Sequence, residues 1–409
     1  MDLLKWYQQF HFWTVFRDIM EIIKRFLKVP EQSFFLFGPR GTGKSTWVRD
    51  YYPDALLIDL LAPEVYRSYI AHPERLRELV DGNPNRQFVI IDEIQKVPEL
   101  LNTVHMLMES KKNIIQFILT GSSTRKLKKA GVDLLAGRAL LKTMHPFILS
   151  ELRGIFTFEE ILRLGLLPVV LNSKDPSDVL NSYVSLYLRE EVQMEGMIRN
   201  IGDFARFLEI ISFSHSSVLN VANIARESEI GRKTVEGYIN ILEDLLLAYR
   251  IPVFTKRASR SLIKHSKFYL FDTGVFRSLR PAGPFDRQEE IEGSALEGLV
   301  AQHLRAWIAY SGNKSVLYFW RTPSGTEVDF VVYGPETFYA IEVKNSDKVR
   351  PLDLQSLKTF ITDYPSAKAI LLYRGSDRLK KNNILCLPCS DFLSNLQPGM
   401  LLLETCAGM

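Results

Sequence analysis

The sequence predicts an α/β protein in three parts: a parallel sheet with crossover helices, a helical middle, and a second α/β unit at the C-terminal end. Three observations predict it. Short, nearly continuous apolar runs alternate with polar helical stretches from Ser33 to about Leu149. The pattern turns helical after Pro146 and stays so through about Ala248. From Ser294 the expected order is helix, three strands, helix, strand. The boundaries that follow are 1–150, 151–290 and 291–409.

The strands expected in the first unit are 33–37, 55–59, 88–91 and 114–120. Their unbroken apolar character is that of strands covered on both faces. In the middle unit, long amphipathic stretches at 179–195 and 204–212 predict helices. In the third, a helix at 295–309 precedes strands at 316–321, 327–332 and 338–343, a helix at 352–361 and a strand at 369–373.

The chain has 409 residues, 46% apolar and 24% charged, the balance of a globular protein. A net charge of +4 names no partner; what counts is where positive charge gathers. Only Cys386, Cys389 and Cys406 occur, too few for a disulfide framework, which points to a reducing, cytoplasmic setting. Cys386 and Cys389 form a C-x-x-C pair, without the second pair or nearby histidine that a structural zinc site requires. The N-terminal stretch carries Trp6, Tyr7, Phe10, Phe12, Trp13 and Phe16 but is interrupted by Lys5, Arg17 and Asp18. It falls short of the ~20 apolar residues of a membrane span and reads as an amphipathic helix packed on the next domain.

Gly38, Pro39, Arg40, Gly41, Thr42, Gly43, Lys44 and Ser45 match G-x-x-x-x-G-K-[ST], and Thr46 follows. The match lies between an expected strand and an expected helix, the setting of a phosphate-binding loop. Its backbone N–H groups and the helix N-terminus suit the phosphates of ATP. Lys44 is placed for the β- and γ-phosphates and Ser45 for Mg²⁺. Asp92 and Glu93 end the next buried strand, Asp92 as a second Mg²⁺ ligand and Glu93 as the group that orients the attacking water. Thr120 and Ser122, at the end of the following strand, are candidates to sense the γ-phosphate. Arg125, Lys126, Lys128 and Lys129 then form a basic run.

On these residues, together with the ILTGSS strand, Ala136-Gly137-Arg138 and the HPFILSEL segment, the chain resembles the AAA+ superfamily. The resemblance is to those ATPases whose C-terminal half is the DUF4143 domain. It implies a homo-oligomeric ring in which an arginine of one subunit reaches the γ-phosphate of the next, with Arg138 the first candidate and Arg189 the second.

Residues 221–246 read as two helices separated by 228–231, an arrangement similar to a helix-turn-helix in a winged-helix-like module, with Arg232 and Lys233 entering the second helix. Between Asp244 and Asp272 there is no acidic residue and six basic ones: Arg250, Lys256, Arg257, Arg260, Lys264 and Lys267. Such a block suits the phosphates of double-stranded or branched DNA.

In the third unit, side chains two apart on a strand share a face, so Glu327 with Asp329, and Glu342 with Lys344, point together. If these strands pair, Asp329 and Glu342 form a carboxylate couple for Mg²⁺, Glu297 adds a ligand from the preceding helix, and Lys344 orients a water. The D-x12-E-x-K spacing and the element order resemble the PD-(D/E)xK nuclease fold, with valine where that motif usually has proline. The reading is an ATP-dependent DNA-binding and remodelling ATPase with a nuclease-like C-terminal domain. The rival is a nucleotide-gated protein-interaction switch built on a catalytically silent scaffold.

Overall fold

The computed structural model describes residues 23–111, 114–123, 135, 137–187, 192–193, 200–255 and 265–404. The N-terminal aromatic stretch, Arg125, Lys126, Lys128, Lys129, Ala136, Arg189, Lys256, Arg257, Arg260, Lys264 and Cys406 lie outside them. The fold is α/β. Strands β1 (Phe34–Phe37), β2 (Leu56–Asp59), β3 (Phe88–Asp92), β4 (Gln116–Gly121) and β5 (Leu140–Thr143) form a sheet in the order β2-β3-β4-β1-β5. Every pairing in it is parallel. The crossovers include α1 (Lys44–Tyr51), α2 (Pro63–Ala71), α3 (Arg75–Asp81) and α4 (Leu100–Ser110). Alternate residues cover the two faces: Phe35, Phe37, Val89 and Leu119 pack with α4, whereas Phe34, Leu36, Ile90 and Ile118 pack with Trp47 and Val48 of α1. Burial on both faces explains why these strands lack a polar alternation.

Strand β5 was not expected from sequence. Leu140 and Leu141 are exposed and the strand forms the sheet edge, so it carries little of the apolar signal of its neighbours.

The middle segment contains α5 (Leu149–Leu152), α6 (Phe158–Leu164), α7 (Pro168–Leu171), α8 (Pro176–Ser182), α9 (Ile201–Ser212), α10 (Val221–Ser228) and α11 (Arg232–Asp244). Their starts are written locally. Thr157 caps α6 in a reciprocal box with Glu160, and Asp175, Asn200 and Asn220 accept first-turn N–H groups of α8, α9 and α10. The helix expected over 179–195 instead passes at Ser182 into a π-helical turn, Tyr183–Tyr187. After α11 come β7 (Ala248–Ile251) and β8 (Lys267–Leu270), antiparallel to each other, and β8 also pairs with the short β6 (Ser217–Val218).

The remaining elements are α12 (Thr273–Leu279), α13 (Gln288–Ser311), β9 (Val316–Arg321), β10 (Glu327–Tyr333), β11 (Phe338–Lys344), α14 (Gln355–Asp363), β12 (Lys368–Tyr373), β13 (Leu379–Lys381), β14 (Ile384–Pro388) and α15 (Cys389–Ser394). The six strands stand in the order β13-β14-β12-β11-β10-β9. One apolar core runs from Phe147 to Leu402 and so joins the middle segment to this second sheet.

Helix α13 reaches further. Its Ala306 and Tyr310 pack on the α1 face of the first sheet. There the Arg25 guanidinium, almost fully buried, donates to Glu151 at 3.2 Å, to the carbonyl oxygens of Thr42 at 2.9 Å and His145 at 2.6 Å, and to the Tyr310 hydroxyl at 3.4 Å. Tyr310 Oη in turn accepts the His145 N–H at 2.9 Å, and His303 Nε2 accepts the Leu149 N–H at 2.9 Å. The Glu151 carboxylate of this pair is likewise buried. Removing one partner of a buried pair strands the other charge, so Arg25→Ala is expected to cost ~3 to 5 kcal/mol in urea unfolding. Tyr310→Phe, which strands a buried N–H, is expected to cost ~1 to 3 kcal/mol in the same measurement.

Candidate functional site

The sheet order brings the two sequence motifs together. With β4 between β1 and β3, the loop after β1 and the carboxylates after β3 emerge at the same end of the sheet, flanking Thr120. The loop is fastened to that end by the Gly38 N–H, which donates to the Gly121 carbonyl at 3.3 Å. Gly41 and Gly43 have φ of 82° and 87°, a left-handed backbone that side chains with a Cβ resist. Gly43 starts α1, and Lys44, buried in its first turn, donates to the carbonyls of Gly38 at 2.7 Å and Pro39 at 3.1 Å. Thr42 is buried and donates to the Pro39 carbonyl at 2.8 Å, so its hydroxyl holds the loop's shape. Ser45 is half-buried, whereas Thr46 is exposed. Arg40 lies over the Tyr187 ring at 4.8 Å, turned toward the middle segment.

At the end of β3, Asp92 is almost fully buried. Its Oδ1 accepts from the Thr120 hydroxyl, and its Oδ2 has no hydrogen-bond partner among the described residues. A buried carboxylate oxygen without a donor is costly unless a cation meets it, so this side chain fits the role of a metal ligand. Glu93 adopts φ 61°, a left-handed conformation rare for a residue with a Cβ. Its N–H donates to Thr120 Oγ1 at 3.2 Å, and Gln95 Nε2 donates both to its carboxylate and to Ser122 Oγ, the latter at 3.0 Å. Thr120 therefore meets the acidic pair directly, and Gln95 links Glu93 to Ser122. Sequence reasoning missed Gln95, although it stands two residues past Glu93 in the same motif.

A second set of residues was missed for want of any local signal. The Val169 N–H donates to the Gly41 carbonyl at 3.3 Å, and the Tyr183 hydroxyl donates to the Arg40 carbonyl at 2.9 Å. A Cβ on Gly41 would meet Val169 at 2.6 Å, so the glycine is required by this contact as well as by its φ. The start of α7 and the π-helical turn thus lie against the phosphate-binding loop. The start of α7 is anchored from behind by Asp272, whose carboxylate accepts the Leu166 N–H at 2.8 Å while capping α12.

Arg138 is partly exposed and pairs with Glu109 of α4 at 2.8 Å within its own chain. Arg232 is exposed and paired with Glu236, and Lys233 is exposed beside it at the start of α11. Of the six basic residues between Asp244 and Asp272, two are committed elsewhere: Arg250 bonds Glu243 at 2.5 Å, and Lys267 is buried.

The C-terminal constellation departs from expectation. Strands β10 and β11 pair antiparallel, and Asp329 and Glu342 lie one step beyond the Phe330–Ile341 pair. Yet among the described residues no group of three His, Cys, Asp or Glu side chains is arranged to hold a metal ion. The ligand set Glu297, Asp329 and Glu342 is divided instead. Lys267 Nζ, from β8, reaches Glu297 at 2.8 Å, Glu327 at 2.5 Å and Asp329 at 3.2 Å. Tyr269, two residues on and therefore on the same face of β8, donates to Glu297 at 2.6 Å. The other oxygen of Asp329 accepts the Val343 N–H at 2.9 Å. Glu342 is paired with Lys344 at 2.6 Å, which turns Lys344 into a counter-ion. Burial beside the Asp329 charge pushes the Glu342 carboxyl up to about 8 and the Glu297 carboxyl up to about 7.

A family model described as an AAA domain matches residues 30–153. Two described as domains of unknown function, DUF8612 and DUF4143, match residues 155–286 and 292–392. An uncharacterized protein of Mycobacterium tuberculosis is 23% identical over 373 residues, covering 88% of this chain and 80% of the relative. Among solved structures, PCH-2 of C. elegans is 12% identical with a TM-score of 0.25, covering 56% of this chain and 68% of its own. AMPPCP-bound DnaA of Aquifex aeolicus is 16% identical with a TM-score of 0.24, covering 56% and 86%. No helix among the described residues is long and apolar enough to cross a membrane. The phosphate-binding loop, the acidic strand end and the parallel sheet that joins them lie within the AAA-domain match, and a DUF4143 domain follows at the C-terminal end of the chain.

Proposed function

We propose that the protein hydrolyses ATP with Mg²⁺ and uses the energy to bind and remodel DNA. The observation that carries the first half is the buried, partnerless Oδ2 of Asp92 at the sheet end that also bears the phosphate-binding loop. Loop N–H groups and Lys44 would bind the triphosphate, and Ser45 and Asp92 would hold Mg²⁺, which neutralises charge developing on the transferred phosphoryl group. Glu93, positioned by Gln95 and Thr120, would orient the attacking water. The contacts of Val169 and Tyr183 with the phosphate-binding loop support a reading in which the middle segment responds to the nucleotide.

Support for DNA as the target is the pair of helices α10 and α11, similar to a helix-turn-helix and followed by antiparallel strands, with Arg232 and Lys233 exposed at the entrance to α11. That end of a second helix is where such modules present contacts. A homo-oligomeric ring with Arg138 acting across subunits remains part of the proposal, and it requires Arg138 to leave Glu109. The rival reading, a nucleotide-gated interaction switch on a silent scaffold, draws support from Lys267, which occupies the carboxylate cluster.

Turnover measured with Mg²⁺-ATP is expected to fall by about 100-fold or more in Glu93→Gln with nucleotide still bound. Lys44→Ala is expected to lose nucleotide binding itself. Addition of duplex or branched DNA at low salt is expected to raise turnover, and Arg232→Glu with Lys233→Glu to remove that rise and lower the salt slope of binding by about one per lost phosphate contact. Absence of stimulation by any DNA form favours the switch.

A further inference from the structure

The second buried charge centre of the molecule lies apart from the nucleotide site, where β8 of the middle segment meets α13 and β10. Three carboxylates, one from α13 and two from β10, each have an oxygen within 3.2 Å of Lys267 Nζ: Glu297 Oε1, Glu327 Oε1 and Asp329 Oδ1. Their side chains are 15%, 22% and 12% exposed, so solvent screens their mutual repulsion poorly. The point between them is held by the Lys267 ammonium, whose side chain is 2% exposed. Glu327 has further help from Arg321 at 3.1 Å, and Lys267 also lies 5.8 Å from the Phe319 ring.

Such convergence has a physical cause. Three carboxylates brought together away from water need a cation among them, and an ammonium with three donors can answer all three at once. A divalent metal would need several of the same oxygens at ~2.0 to 2.6 Å. Two cations cannot share that point, because their repulsion is strong where water is scarce. Nor does the lysine swing freely. Its strand is paired on both edges, with Ile251 of β7 and Val218 of β6, and the whole residue is buried.

We propose that Lys267 is the resident cation of this carboxylate cluster and excludes divalent metal from it while β8 stays in place. The proposal does not depend on the assignment of ATP or DNA.

The test uses the full chain without nucleotide and reads Mn²⁺ in two ways, by the loss of the free-ion paramagnetic signal and by the shift in melting temperature. In the native protein, Mn²⁺ binding and the effect of Mn²⁺ on the melting temperature are expected to be the same with and without Asp329→Asn. In Lys267→Met, Mn²⁺ is expected to add one bound ion and to raise the melting temperature by several degrees, as any ligand of the folded state does. Both gains should vanish in Lys267→Met combined with Asp329→Asn. The proposal is overturned if the native protein binds Mn²⁺ or cleaves DNA in a manner abolished by Asp329→Asn, or if folded Lys267→Met takes up no ion. Should Lys267→Met fail to fold, the comparison of native protein with Asp329→Asn decides alone.

Discussion

The structure rests on a single obligation, that of finding partners for the Arg25 guanidinium. An arginine cannot shed its proton, so once buried it must be answered on every side. The groups that answer it come from Glu151, the carbonyl oxygens of Thr42, His145 and Pro146, and the hydroxyl of Tyr310. The Phe147 ring closes one face at 4.5 Å. These belong to the phosphate-binding loop, the exit from β5, the first turn of the middle segment and the long helix α13. Satisfying one charge therefore fixes the mutual placement of units that the sequence presents as separate. The Thr42 carbonyl is part of the loop itself, so the nucleotide pocket takes its shape partly from residues far along the chain.

A similar economy governs the C-terminal charges. Carboxylates there are supplied in the types and on the strand faces that metal chemistry would use. What decides their chemistry is the cation that reaches them, and this comes from β8, outside the unit to which they belong. Asp92, beside the phosphate-binding loop, differs from the carboxylates around Lys267: one oxygen is bonded to Thr120 and the other, like Oε2 of Glu342, has no partner among the described residues. Two acidic centres of similar composition thus have different electrostatic fates, set by neighbours remote in sequence.

This contrast explains how much was legible beforehand. Strands β1 to β4 were readable because burial on both faces writes itself into short apolar runs, and the loop motif because its glycines and Lys44 are local requirements. Asp92 and Glu93 followed from the strand that ends in them. Strand β5 was not readable, since an exposed edge demands few apolar residues. Val169 and Tyr183 touch the loop only through the tertiary fold, and no periodicity records that. Lys267 was misread for a related reason. A lysine amid other basic residues reads as a solvated or phosphate-facing charge, and only the three carboxylates from other elements make burial tolerable.

Helix α13 is unbroken from Gln288 to Ser311. It carries Glu297 in the carboxylate cluster and Tyr310 against Arg25, separated by about 20 Å at 1.5 Å per residue. A beam of that length converts a tilt of about 3° at one end into a displacement of about 1 Å at the other. That is enough to distinguish the coordination shell of a metal from that of an ammonium. The carboxylate cluster and the Arg25 network are consequently mounted on one helix.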